Sequence, residues 1–486
     1  MEKLFTKGTK IVDSQQRERI FHGVNMVYKG HFDESVGRNC YIANWTEDDF
    51  DWLRDNGFHL IRLGIIWDGL EHTQGDLDGA YLNWLKHIVQ LCYERNIYVF
   101  LDMHQDLFSV KFADGAPEWA TLGGNKPHYN EGIWSDSYLL SEAVKTSFDA
   151  FWANEKLPNG VGIQDHYAAL WGKVVDAFQN YNNVLGFDLM NEPYTGSSGL
   201  EIFATLLGAY GEITQKNLSI EELMEMFTDD EEKVQMLMEI DNHEIYQAMA
   251  SAVAPLIQHF DSEILNSFYQ KVRDAIREKC SDGIIMLENN YFSNMGIPSQ
   301  VRKIKEEHQI YAPHGYDLVV DSPAVALSSN NRVNVIFEGH REVQERLQVP
   351  VIVGEWGAHY EHKEALDHIT HLQNKFDQYH WSHTYWCYEK NLRNCAVLPR
   401  LIRPYPMAVS GTIQFYSYDQ YTHTFDFQWI AGESSGETII FLPSEVKEAR
   451  TDVSYQLIEI SETSSGKLMV ISTKDSGAHR LEIIFH

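Results

Sequence analysis

The chain has 486 residues, 44% of them hydrophobic, and carries 70 acidic against 39 basic side chains for a formal charge of −31. That charge excludes nucleic acid and anionic membrane surfaces as main partners, because both are polyanions that Lys and Arg must neutralise; a neutral or cationic small-molecule ligand is expected. The length exceeds the roughly 250 residues of one barrel domain, so at least one further domain is expected.

From the N-terminus, short runs rich in β-branched and aromatic residues alternate with longer stretches of helical period. The runs cover residues 20–26, 60–67, 98–104, 184–192, 284–290, 309–316, 349–355 and 383–389, with amphipathic segments such as 81–95 and 165–181 between them. Such alternation is the signature of an α/β fold with a parallel sheet covered by helices. Eight strands predict a closed (β/α)8 TIM barrel over residues 1–403. Asn25, Trp67, His104, Glu192, Asn290, His314, Glu355 and Trp386 fall at the C-terminal ends of the runs, where a barrel of this kind assembles its active site. An open doubly wound sheet is the rival, but the Gly-rich phosphate turn that follows its first strand is missing here.

The connection between the fourth and fifth runs, about 195–283, is too long for an ordinary loop and helix. It holds an insertion whose middle, 221–254, is acidic and carries Met224, Met226, Met236, Met238 and Met249. Two readings stand: a helical lid with an adaptable apolar lining, or a Met-rich helix pair packed against the barrel. After Arg403-Pro404 the texture changes to short alternating strands at 411–417, 422–429, 438–442 and 467–473. These predict a C-terminal antiparallel β-sandwich over residues 404–486, read as a packing module in preference to a carbohydrate-binding one.

No stretch near the start provides the ~7–15 apolar residues of a secretory signal, and none approaches the ~18 of a membrane span. A cytoplasmic location without a transmembrane segment is therefore expected. Cys40, Cys92, Cys280, Cys387 and Cys395 are odd in number and form no Cys-x-x-Cys, which fits reduced thiols and gives them no catalytic role.

The chemistry is carried by two apolar runs that each end in a glutamate: Asn191-Glu192-Pro193 and Glu355-Trp356-Gly357. Two carboxyl groups flanking a glycosidic bond divide its hydrolysis, one protonating the leaving oxygen while the other attacks the anomeric carbon. Glu192 is the candidate acid/base and Glu355 the candidate nucleophile, with carboxyl groups expected about 5–5.5 Å apart for retention of configuration. Asn191 offers an amide to the sugar 2-hydroxyl. Arg62, in the middle of an apolar strand, is either a charged partner that keeps Glu355 ionised or a barrel salt bridge.

Asp102, His104 and Asp106 alternate along the third strand and therefore share a face, from which they grip sugar hydroxyls. The same three residues, with His314 and Asp317, are also a candidate metal set, so a metal-dependent barrel hydrolase is a rival. A barrel that binds glycans without cleaving them is another. His314, Tyr316 and Trp386 complete the pocket, with Tyr316 within reach of the nucleophile and Trp386 as a floor for a sugar ring.

The order of Arg62, His104, Asn191-Glu192-Pro193, His314, Tyr316, Glu355 and Trp386 resembles glycoside hydrolase family 5 over about residues 15–410. Within it, residues 101–107, 115–121, Trp134 and 148–152 are similar to the endoglycoceramidases and related glucosylceramide- or sterylglucoside-cleaving enzymes. The resemblance implies a retaining enzyme needing no metal or organic cofactor, glycan contacts from Lys29, Asp102, Asp106 and Trp134, and a broad apolar groove for the aglycone. The expected substrate is a glycolipid or another hydrophobic β-glucoside; small aryl, flavonoid or oligosaccharide glucosides are the alternative.

Overall fold

The computed structural model describes residues 1–486 apart from 321, 323, 433–435, 463 and 474–475. Its centre is a closed parallel barrel: β1 (His22–Met26), β2 (Leu60–Ile66), β3 (Tyr98–His104), β4 (Val184–Asp188), β5 (Ile284–Leu287), β6 (Gln309–Tyr311, continued by His314–Gly315), β7 (Ile352–Gly357) and β8 (Ser382–Trp386). β6 is split because Pro313 cannot donate to a ladder; it pairs with β5 below the break and with β7 above it. Pairing of β8 with β1 closes the circle. All eight strands are buried along nearly their whole length, as strands covered on both sides must be.

The predicted runs extend beyond the strands at 189–192 and 288–290, where the chain has already turned into loops carrying buried polar residues. Between β4 and β5 the insertion forms α1 (Ser198–Ile213), α2 (Ile220–Thr228), α3 (Asp230–Glu239) and α4 (His243–His259). Their starts follow from sequence: Ser219 caps α2 in a capping box with Glu222, and Asp229 and Asn242 cap α3 and α4.

The C-terminal region is a sandwich of two antiparallel sheets. One has four strands, Gly411–Asp419, Thr424–Ala431, Gly477–Phe485 and Val446–Thr451. Among the described residues the other has seven, and three of them, Phe5–Lys7, Lys10–Val12 and Glu18–Arg19, come from the N-terminus. Alternation in Thr424–Ala431 sends Phe425, Phe427 and Trp429 into the core, where Phe427 and Trp429 stack at 4.7 Å. The five cysteines are free thiols. Among the described residues no helix is long and apolar enough to cross a membrane.

Candidate active site

The mouth of the barrel at the C-terminal strand ends is organised around Arg62. Asp102 and Asp188 are register partners on β3 and β4 and both point into the lumen. Arg62 Nη2 lies 3.0 Å from Asp102 and 2.8 Å from Glu288, Nε donates to Asp188 at 3.1 Å, and Nη1 donates to Glu355 at 2.5 Å. Its remaining bonds go to the side-chain oxygens of Asn25 and Asn191. Burial alone would depress the guanidinium, but the four carboxylates raise it well above its ordinary value. One cation is thus shared by carboxyl groups from four elements, and burial together with the neighbouring Glu288 charge pushes the Asp188 carboxyl well above its ordinary value.

Glu355 faces His314 across the β6/β7 register. Gly354 makes room for that neighbour, since a Cβ there would lie 2.8 Å from His314 Nε2. The other oxygen of Glu355 accepts a 2.8 Å hydrogen bond from the Tyr316 hydroxyl. Glu192 adopts a left-handed backbone, φ 42°, and its N–H donates to Glu288 at 2.8 Å; conformations of this kind concentrate where a site must be aimed. Glu192 Oε1 meets both Asn294 Nδ2, at 2.9 Å, and His314 Nδ1, at 3.0 Å. Its second oxygen is left to face the cleft. Burial, partly offset by the His314 hydrogen bond and reinforced by the charge of Glu355, pushes the Glu192 carboxyl from its ordinary 4.5 up to about 7. Oxygens of Glu192 and Glu355 and a nitrogen of His314 lie within 4.8 Å of one another.

A second constellation lies beside the pair. His104 stacks on Trp386 with centroids 5.6 Å apart, and its Nδ1 bonds Asp102 at 2.8 Å. Burial works against its charge, but Asp102 and Asp106 hold its pKa up at about 10. Lys29 forms an ion pair with Asp106, and its ammonium sits 5.6 Å and 5.2 Å from the Trp134 and Trp386 ring centres. The Asp106 N–H in turn bonds Asp114, whose carboxyl burial and the Asp106 charge push up to about 7.

Of the residues named from sequence, Lys29, His104, Asp106, Trp134, Asn191, Glu192, Tyr316, Glu355 and Trp386 line one cavity of about 450 Å³. Three do not. Asp102 is fully buried one layer deeper, engaged by Arg62 and His104, so it holds those two residues and does not touch a ligand. His314 and Arg62 are likewise fully buried beneath the glutamates. The amide of Asn191 also serves the scaffold, donating to the Gln105 carbonyl at 3.0 Å while its oxygen accepts from Arg62.

The five residues of the candidate metal set do not meet at one point: His104 and Asp106 converge with Asp114, His314 with Glu192 and Glu355, and Asp102 with Asp188 and Glu288. Asp317 is instead bound in a buried ion pair by Arg332, at 2.7 Å and 3.0 Å, while His314 is taken by Glu192. Arg62 pairs with Asp102, and Lys29 with Asp106.

Sequence reading passed over Glu288 and Asn294. Glu288 binds Arg62 and the Glu192 N–H and lies 3.3 Å from His314 Nε2. Its signal was available, a charged residue ending the apolar run 284–287. Asn294 sits in the short helix Tyr291–Met295 capped by Asn290, and nothing local marks its contact with a residue 102 positions away. The far wall of the cavity comes from the insertion, through Phe203, Leu207, Phe227, Met236, Leu237 and Met249.

Comparison with known proteins fits this geometry. Residues 24–392 match Cellulase (glycosyl hydrolase family 5), and residues 403–483 match the glycoside hydrolase family 5 C-terminal domain. The chain is similar to endoglycoceramidase of Cyanea nozakii, 32% identical over 210 residues that cover 38% of this chain and 41% of the relative. Endoglycoceramidase I of Rhodococcus hoagii is 32% identical over 197 residues, covering 40% and 38%. The matched stretches thus span about two fifths of those curated relatives. In fold, endo-glycoceramidase II from a Rhodococcus species superposes with a TM-score of 0.73 at 23% identity, covering 98% of this chain and 99% of the other. The chain belongs to glycoside hydrolase family 5.

Proposed function

We propose that this protein is a retaining β-glycosidase acting on glycosides with an apolar aglycone, of the glycolipid type. The observation that carries the reading is the placement of Glu192 and Glu355, with oxygens within 4.8 Å of each other. Oxygens this close fit the ~5–5.5 Å carboxyl spacing of a double displacement better than the ~6.5–9.5 Å of the inverting arrangement.

Glu355, bonded by the Arg62 guanidinium and by the Tyr316 hydroxyl, attacks the anomeric carbon. As the glycosidic C–O bond breaks, Glu192 delivers its proton to the leaving oxygen, so the aglycone departs neutral and the sugar becomes an ester of Glu355. The negative charge of Glu355, one of the causes that hold Glu192 protonated, disappears in that ester. Glu192 then becomes the better base and takes a proton from the water that attacks the same carbon, freeing Glu355 and releasing the sugar with its original configuration.

Lys29, Asp106, His104, Trp134 and Trp386 form the polar and aromatic end of the cavity, suited to sugar hydroxyls and a ring face. The insertion supplies an apolar wall through Phe203, Leu207, Phe227, Met236, Leu237 and Met249, which favours a lipid-like aglycone over a second sugar. The names of the relatives point the same way.

Glu355→Gln is expected to abolish turnover of nitrophenyl β-glucoside. Glu192→Ala is expected to regain activity with azide and to release the β-glycosyl azide; the α-azide as product would overturn retention. A panel of glucosylceramide, galactosylceramide, steryl glucoside and aryl glucosides, with the released glycan identified, tests the substrate class.

A further inference from the structure

Among the described residues the cavity is lined by eight charged side chains, and five of them, Lys29, His104, Asp106, Glu192 and Glu355, belong to its sugar end. A sixth, Asp317, is neutralised by the buried Arg332. The remaining two, Lys233 and Asp136, stand with the apolar wall and have no part in the chemistry above.

Lys233 extends from α3 of the insertion, and Asp136 opens the short helix Asp136–Leu140 in the loop after β3. Their ion pair is long, 3.9 Å, and the side chains are only 17% and 20% exposed. The ammonium rests over the Phe227 ring, 4.1 Å from its centre. A partly buried lysine whose contacts among the described residues are a ring face and one distant carboxylate retains N–H donors for an oxygen entering the cavity. The Asp136 carboxylate beside it is an acceptor. An anionic group would meet Asp136 and a cationic one Lys233, so the pair suits a neutral group presenting an acceptor and a donor close together.

We infer that Lys233 and Asp136 form a subsite for the polar head of the aglycone, selecting a neutral lipid with an amide or hydroxyl acceptor next to an N–H or O–H donor, as in a 2-acylamino alcohol. Lys233 donates to the carbonyl or hydroxyl oxygen; Asp136 accepts from the neighbouring N–H or O–H. An aglycone that is hydrocarbon beyond its glycosidic oxygen offers the pair nothing and strands both charges in an apolar wall. Because one partner lies on the insertion and the other on the barrel, such a head also ties the two together over the bound lipid. This inference rests on the glutamates marking the sugar end, and its test is independent of turnover.

The test measures binding of a short-acyl ceramide and of a linear alkanol of matched carbon count, by tryptophan fluorescence in the same detergent. The intact protein should bind the ceramide about tenfold more tightly, the discrimination expected of hydrogen bonds to charged groups at a partly exposed site. Lys233→Met and Asp136→Asn should each bring that ratio close to one, and Lys233→Arg should preserve it. A ratio near one in the intact protein overturns the inference, and so does a ratio that survives both Lys233→Met and Asp136→Asn. Ceramide preference without azide rescue of Glu192→Ala would fault the catalytic reading alone; azide rescue without ceramide preference would fault this one alone.

Discussion

At the scale of single residues the site is a set of unequal carboxyl groups made from the same chemistry. Glu192 and Glu355 lie close together, yet one is engaged by a guanidinium and a phenol while the other has an amide, an imidazole and the cleft. The guanidinium stabilises charge, whereas burial beside another anion penalises it. The Glu192 carboxyl stands at about 7. Below that pH it holds the proton that the leaving group needs; above it the acid is lost, so kcat/KM for an alkyl β-glucoside should fall on an alkaline limb centred near 7. The limb should be absent in Glu192→Gln measured on a dinitrophenyl glycoside, whose leaving group departs without protonation. An alkaline limb at the ordinary carboxyl value of 4.5 would show that Glu192 is not the acid.

At the scale of elements, strand ends and insertion differ in how far sequence could foretell them. The glutamates, Arg62 and Tyr316 were legible because a parallel barrel turns strand position into spatial position: the C-terminal residues of its strands converge whatever lies between them. Asp102 was misplaced for a related reason. Alternation gives the face of a strand but not the depth, and two residues along β3 separate the layer of Arg62 from the layer that meets the ligand. The insertion was visible by length and by its methionines, but which helix faces the cleft depends on docking that no local pattern encodes. Met236 and Met249 do reach the cavity wall, with Phe227 and Leu237 beside them. Met236→Trp would fill part of that space with a rigid ring. It should raise KM for a glucosylceramide roughly tenfold more than KM for an aryl glucoside, as expected when overpacking displaces one part of a ligand; an equal rise for both would place Met236 outside the aglycone path.

At the scale of the whole molecule, the sandwich was legible from the change in texture after residue 403, whereas its use of the first 19 residues was not, because strands of two or three residues carry too little pattern to assign. Those strands make the chain close on itself: Glu18–Arg19 pairs with Tyr405–Val409, and Arg17 donates to the Glu437 carbonyl at 3.2 Å. The seam continues into the base of the barrel. Tyr405 stacks on His22 at 3.9 Å and donates to the Gly57 carbonyl at 2.9 Å, His59 bonds the same hydroxyl at 3.2 Å, and Arg403 pairs with Asp377. Gly57, at φ 84°, passes so close to Phe441 of the sandwich that a Cβ would lie 2.4 Å from its ring. These groups are buried, and separating the domains would expose aromatic surface and strip the Gly57 carbonyl and the His59 ring of their bonds to the Tyr405 hydroxyl. Leaving a buried polar group without its hydrogen bond costs about 1–3 kcal/mol, and with the lost stacking this is a large share of the stability of a marginal domain. The protein should therefore unfold in one calorimetric transition, its van't Hoff and calorimetric enthalpies agreeing. Two resolved endotherms, or a soluble cooperative barrel after removal of residues 404–486, would show that the seam is a contact and not a shared core.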